Sequence, residues 1–161
     1  LGHVGGSEAT LKLQTLLRND EVGYVRGRAA AALYRMGDDS GVVVLRDMAS
    51  AAAPLARLVA AEALAPRPDA SWRQLVESLL AVEQPDVILR AATLMLGVDR
   101  ERARQALEGL AASDNPAIRE PAGLRLADAV SDDLAALRRL LRSPDRLTRV
   151  GAARAILRFS S

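Results

Sequence analysis

Val25-Arg26-Gly27-Arg28-Ala29-Ala30-Ala31-Ala32-Leu33 returns along the chain as Ala56-Arg57-Leu58-Val59-Ala60-Ala61-Glu62-Ala63-Leu64, and again over 87–95, 118–126 and 148–156. The second positions of these blocks are Arg26, Arg57, Ile88, Arg119 and Arg149, which stand 31, 31, 31 and 30 residues apart. A tandem unit of that length is a helical hairpin that buries its apolar face only against a neighbouring copy. The start of each unit is marked in register by Gly23, Pro54, Pro85 and Pro116. Proline suits a first helical turn, where its missing N–H had no partner. Val25, Ala29, Ala32, Leu33 and Met36 then follow at helical spacing, and Gly37-Asp38-Asp39-Ser40 stops one helix and starts the next.

Second helices are expected near Ser40 to Ala49, Ser71 to Val82, Arg100 to Ala111 and Ser131 to Leu141, each with one apolar stripe such as Leu134, Leu137, Leu140 and Leu141. Short turns make each pair an antiparallel hairpin. At the front, Gly5-Gly6-Ser7 leads into Glu8 to Arg18, which reads as a second helix through Leu13, Leu16 and Leu17. At the back, Leu147 to Phe159 reads as a first helix without its mate. The expected fold is all-α: an α-solenoid, a right-handed superhelix of about ten helices forming one array over 1–161, with half-repeats at 1–18 and 146–161. Neither end shows a polar cap, so the array is expected to be a segment of a longer protein whose open ends favour self-association.

Composition narrows the chemistry. Aromatic residues make up only 2% of the chain, so burial must come from Leu, Ala and Val packed between closely spaced helices. The net charge of +2 is too small to argue for nucleic acid by itself. Its distribution is uneven: residues 1–99 hold 10 basic and 12 acidic side chains, and residues 100–161 hold 12 and 8. Without cysteine there is no disulfide, thiolate nucleophile or cysteine-based metal site. Arginine interrupts every apolar stretch, so no membrane span is expected.

The unit resembles the HEAT repeat in its short bacterial form, akin to the phycobilisome-lyase repeats, whose first helix reads close to Pro-x-Val-Arg-x-x-Ala-Ala-x-Ala-Leu-Gly. Residues 116–126 and 23–33 carry the pattern best. The resemblance implies that Arg26, Arg57, Arg119 and Arg149 are structural, bonding an Asp or a carbonyl of an adjacent turn, with Ile88 breaking the series. It also implies that the second helices line a concave face. Their polar positions give a candidate partner-binding stripe: Lys12, Thr15, Arg46, Arg73, Gln74, Glu77, Arg104, Gln105, Glu108, Arg138, Arg139 and Arg142.

Catalytic constellations are hard to assemble. His3 is the only histidine, which leaves no His-based triad, dyad or metal cluster. The pairs Asp20-Glu21, Asp38-Asp39 and Asp132-Asp133 stand at helix starts, where carboxylates accept backbone N–H bonds and meet the positive end of the helix dipole. They are therefore expected to be caps. No catalytic, cofactor or metal residue is assigned. Trp72, in the first turn of a second helix, is expected to be core or staple in preference to an interface anchor.

The expected function is a non-catalytic scaffold that binds a protein partner along its groove, with Arg and Glu setting orientation. The alternative is nucleic-acid backbone binding through the Arg-rich C-terminal half, as some HEAT-like DNA glycosylases hold DNA on a basic concave face. Against it stand the scattered aromatics, which provide no stacking platform. A lyase accessory or other enzyme is a third and weaker reading.

Overall fold

The computed structural model describes residues 3–20 and 23–159. Among these the fold is all-α, with ten α-helices and no strand. The helices are α1 (His3–Asn19), α2 (Gly23–Arg35), α3 (Val42–Ala49), α4 (Pro54–Leu64), α5 (Ala70–Leu79), α6 (Pro85–Met95), α7 (Arg100–Ala111), α8 (Pro116–Ala129), α9 (Leu134–Leu140) and α10 (Arg146–Phe159). The first helices begin at the residues marked in the sequence: Gly23, Pro54, Pro85 and Pro116. From α1 to α5 and from α6 to α10 consecutive helices pack together, as do α2 with α4, α6 with α8 and α8 with α10.

Four boundaries differ by more than one residue from the sequence expectation, one of them the end of α5 at Leu79 where Val82 was expected. Helix α1 starts at His3, so Gly5 and Gly6 lie inside its first turns; glycine costs about 1 kcal/mol in a helix interior, too little to stop a helix. Helix α3 is entered through a 3-10 turn over Asp39–Gly41. Helix α9 begins only at Leu134, because the Asp133 carboxylate accepts the Ala136 N–H and fixes the start there. Helix α8 runs through Pro121, which forgoes one ladder bond without ending the helix.

The chain divides into two compact units, residues 1–79 and 80–161. Both are built on the same two columns. Ala29, Ala60, Ala91, Ala122 and Ala152 hold the third place after each block's second residue, and none is more than 3% exposed. Leu45, Val76, Leu107 and Leu137 recur on the second helices, all fully buried. Methyl groups in the first column let helices approach closely, and the larger side chains of the second fill the space between them.

Within the first unit, one repeat position shows how the packing tolerates different volumes. Gly41 lies so near α2 that a Cβ there would stand 2.6 Å from the Ala30 Cα. Thirty-one residues on, Trp72 is 3% exposed and its Nε1–H donates to the Ala61 carbonyl at 2.7 Å. Ala61 is the repeat counterpart of Ala30, so glycine and tryptophan occupy equivalent places against equivalent alanines. Trp72 is a core residue, as its sequence context suggested.

Candidate interaction surface

Every residue of the sequence-derived stripe is exposed or half-exposed. The stripe's charges are largely arranged in pairs along single helices. On α1, Lys12 meets Glu8 at 2.7 Å, and the Thr15 hydroxyl donates to the Leu11 carbonyl. On α5, Arg73 reaches Glu77 at 3.2 Å. On α7, Arg104 bridges Glu101 and Glu108, both at 2.6 Å, while the Gln105 amide donates to Glu101. These spacings, three and four residues, are those at which helix side chains face one another.

The α7 network has an electrostatic signature. Hydrogen bonds from Arg104 and then Gln105 stabilise the ionised Glu101 and lower its pKa to about 2, against an ordinary value near 4.5. Hydrogen bonds to Glu101 and then Glu108 raise the pKa of Arg104. A side chain held this way is pre-oriented, although its exposure to water and salt keeps its contribution to stability small.

In the second unit, the structure brings Arg104, Glu108 and Arg139 of the stripe to one open cavity of about 410 Å³. Arg100, Glu101, Asp132 and Asp133, which sequence reasoning had not included, complete its charged rim. Arg100 also pairs with Asp132 at 3.5 Å. Positive and negative groups therefore alternate around this opening. In the first unit, Arg46 and Gln74 line a cavity of about 570 Å³. Lys12, Thr15, Arg73, Glu77, Gln105, Arg138 and Arg142 are not gathered into either. Arg138, Arg139 and Arg142 form no ion pair among the described residues, and they sit at or just past the C-terminal end of α9, where the helix dipole favours cations.

A second charged cluster had no place in the stripe. Asp128 near the end of α8 is met by Arg154 at 2.9 Å, Arg125 at 3.6 Å and Arg158 at 3.9 Å. One carboxylate thus serves three guanidiniums. The signal for this cluster was present only in part: Arg125 and Asp128 stand three apart on one helix, whereas Arg154 is 26 residues from Asp128.

The repeated arginines fold back onto the turn that precedes their own helix. Arg26 donates to the Asp20 carbonyl, Arg119 to those of Ser113 and Asp114, and Arg149 to those of Ser143 and Pro144. Arg119 also grips the buried Asp145 carboxylate of the next unit's start, with Nε and Nη2 contacts of 3.0 to 3.2 Å. Arg57 departs from the series. It makes no such bond, and its Nε is buried without a hydrogen-bond partner.

Of the acidic pairs expected to be caps, Asp38 and Asp133 act so, while Asp39 and Asp132 pair with Arg67 and Arg100. Asp38 accepts from the Ser40 N–H and Asp133 from the Ala136 N–H. Asp69 and Asp99 cap α5 and α7 in the same way. Glu21 and the His3 side chain lie outside the described residues. Among the described residues, no cluster of three or more His, Asp or Glu side chains is arranged to hold a metal ion, and no helix is long and apolar enough to cross a membrane. No protein-family model matches the sequence, and no curated protein matches it.

Proposed function

We propose that this chain is a HEAT-like α-solenoid that binds a protein partner along the face presented by its second helices, and that it does so without catalysis. The observation that carries this reading is the charge mosaic of the face. Glu77 and Glu108 interrupt the basic residues, and Arg73 and Arg104 are already engaged by carboxylates on their own helices. A polyanionic backbone gains affinity by neutralisation and counterion release, and each fixed carboxylate subtracts from that gain. A protein surface can match alternating charges with its own, which sets register and association rate. The five-fold alanine column and the 31-residue period support the solenoid part of the proposal.

The test is a peptide-display selection on the parent protein, followed by binding of the selected peptides to a charge-swapped variant, Arg104→Glu with Glu108→Arg. Selected peptides should bind the parent and lose at least about tenfold in affinity on the variant. The second reading, nucleic-acid binding, is favoured by the unpaired Arg138, Arg139 and Arg142 and by the arginine excess at Asp128. Its measurement is binding of a random duplex and a single strand across salt concentrations, for the parent and for Arg138→Glu with Arg142→Glu. Only weak binding is expected. Sub-micromolar affinity at physiological salt, with a steep salt slope lost in the double variant, would replace the protein-binding reading with the nucleic-acid one.

A further inference from the structure

The cavity of about 570 Å³ in the first unit, walled by α3, α4 and α5, differs from the other openings in its charge. Its lining holds two guanidiniums, Arg46 and Arg57, and no carboxylate. Neither arginine forms an ion pair or hydrogen bond among the described residues. Arg57 is the one repeat arginine that does not clamp its preceding turn, and its Nε is the one buried side-chain nitrogen or oxygen without a partner among those residues. A buried donor on a cationic group is costly to leave unmatched, so this one calls for an explanation.

The remaining polar groups of the lining can be sorted by whether they have donors to spare. The Ser71 hydroxyl is committed to Asp69 and the Ser78 hydroxyl to the Leu75 carbonyl. Ser50 and Gln74 make no such bond, so they add a hydroxyl and an amide N–H₂ to the two guanidiniums. The nearest carboxylates belong to the adjoining cavity, which Arg46 also lines: Asp39 is paired with Arg67 at 3.0 Å, and Asp69 accepts from Ser71 and the Trp72 N–H and feels the charge of Arg46 without pairing to it. Leu64, Leu75 and Trp72 give the same cavity an apolar side.

We infer that this cavity is a binding site for a small organic acid, whose carboxylate or phosphoryl oxygens are held by Arg57 and Arg46 and whose apolar body lies against Leu64, Leu75 and Trp72. Guanidinium forks match both oxyanions in geometry and charge. The cavity volume falls in the range of small-molecule sites, about 300 to 1,000 Å³, and exceeds what a bare inorganic ion fills. The site uses Arg46 and Gln74 of the stripe but requires no protein partner, so it stands independently of the scaffold reading.

Trp72 is the chain's single tryptophan and lines the cavity, so its fluorescence reports occupancy directly. The probes are cyclohexanecarboxylate, cyclohexyl phosphate, inorganic phosphate and the neutral cyclohexanol. At least one cyclohexyl acid should give a saturable change with a Kd below about 10 mM, well ahead of inorganic phosphate and cyclohexanol. Whichever acid binds more tightly identifies the oxyanion. Arg57→Gln and Arg46→Gln should each weaken it at least about tenfold, while Arg73→Gln, outside the cavity, should not. A second measurement keeps folding and binding apart: Arg57→Met should leave the ligand-free Tm unchanged or higher and abolish the rise in Tm that the acid gives the parent. No saturation by either acid, an equal response to cyclohexanol, or full binding by both the Arg46 and Arg57 variants would each overturn the assignment.

Discussion

Replacing Trp72 by Phe tests the packing of the first unit most sharply, because the contacts of the indole are known individually. The Nε1–H to Ala61 carbonyl bond is lost, at a net cost of about 1 kcal/mol. The Ala61 carbonyl is not stranded, since it also receives the Ala65 N–H at 3.0 Å, so no further penalty for an orphaned acceptor is due. The smaller ring leaves roughly 40 Å³ unfilled, which at about 24 cal/mol per Å³ adds another ~1 kcal/mol. Lost burial of some 30 Å² of apolar surface adds a little under ~1 kcal/mol. The expected destabilisation is therefore about 2 to 3 kcal/mol, rising to about 3 to 5 for Trp72→Ala. Urea unfolding followed by far-UV circular dichroism measures it, since the variant loses its own fluorophore. A cost within about 0.5 kcal/mol, the scale of an ordinary surface substitution, would show that Trp72 is not embedded and return it to the list of interface anchors.

The counterpart of Trp72, Gly41, should resist enlargement: Gly41→Ala places a methyl against the α2 backbone, which has no side-chain freedom to yield, and should cost about 1 to 3 kcal/mol by the same assay. Leu107→Ala in the second unit should cost about 2 to 5 kcal/mol, with faster amide exchange in α8, on which α7 packs; unchanged exchange there would argue against coupling between neighbouring helices. Because the pKa of Glu101 is depressed when folded, its ion-pair contribution is fully present above about pH 4.5 and fades as the pH falls towards 2; a carboxyl carbon titration should show this, and Arg104→Gln should move the midpoint back up. A parent midpoint near 4.5 would mean the α7 network does not persist in solution. Asp145→Ala should lower the urea midpoint by removing the Arg119 partner that joins α8 to the start of α10, and a double-mutant cycle with Arg119→Met should return a non-zero coupling.

Much of this architecture is legible because the repeat supplies five copies of the same information. A proline or glycine at a fixed place recurs four times, an alanine three positions past each block's second residue five times, and a buried leucine or valine eighteen or nineteen past it four times, and such coincidence is hard to arrange otherwise. What could not be read is whatever depends on the gap between copies. Asp145 is 26 residues from Arg119 and Asp128 is 26 from Arg154, distances at which no helical periodicity connects two side chains. The stripe shows the same division: pairs within a helix, such as Arg104 and Glu108, follow from spacing, whereas the meeting of Arg139 with Arg104 around one cavity depends on how α7 and α9 approach. The failure at Arg57 has a similar origin. Its sequence context matches that of Arg26, and only the structure shows that its guanidinium has no carbonyl to hold.

Arginine content alone is therefore a poor guide to what this surface binds. Three of the repeat arginines, Arg26, Arg119 and Arg149, turn an Nη1 onto backbone carbonyls of the preceding turn, and replacing one by Lys would keep the charge while losing the planar guanidinium that holds this geometry. Others, such as Arg73 and Arg104, are neutralised along their own helices. Both groups raise the isoelectric point without offering an unmatched cation to a partner. Two groups among the remaining arginines matter most: Arg138, Arg139 and Arg142 stand in open solvent at a helix end, while Arg46 and Arg57 line an open cavity with a hydroxyl and an amide beside them. Solvent screens the first set and weakens any attraction it exerts beyond about 10 Å. Arg57 is half-buried beside the cavity, so a single oxyanion held there should discriminate between variants more strongly than any ligand laid across the exposed face.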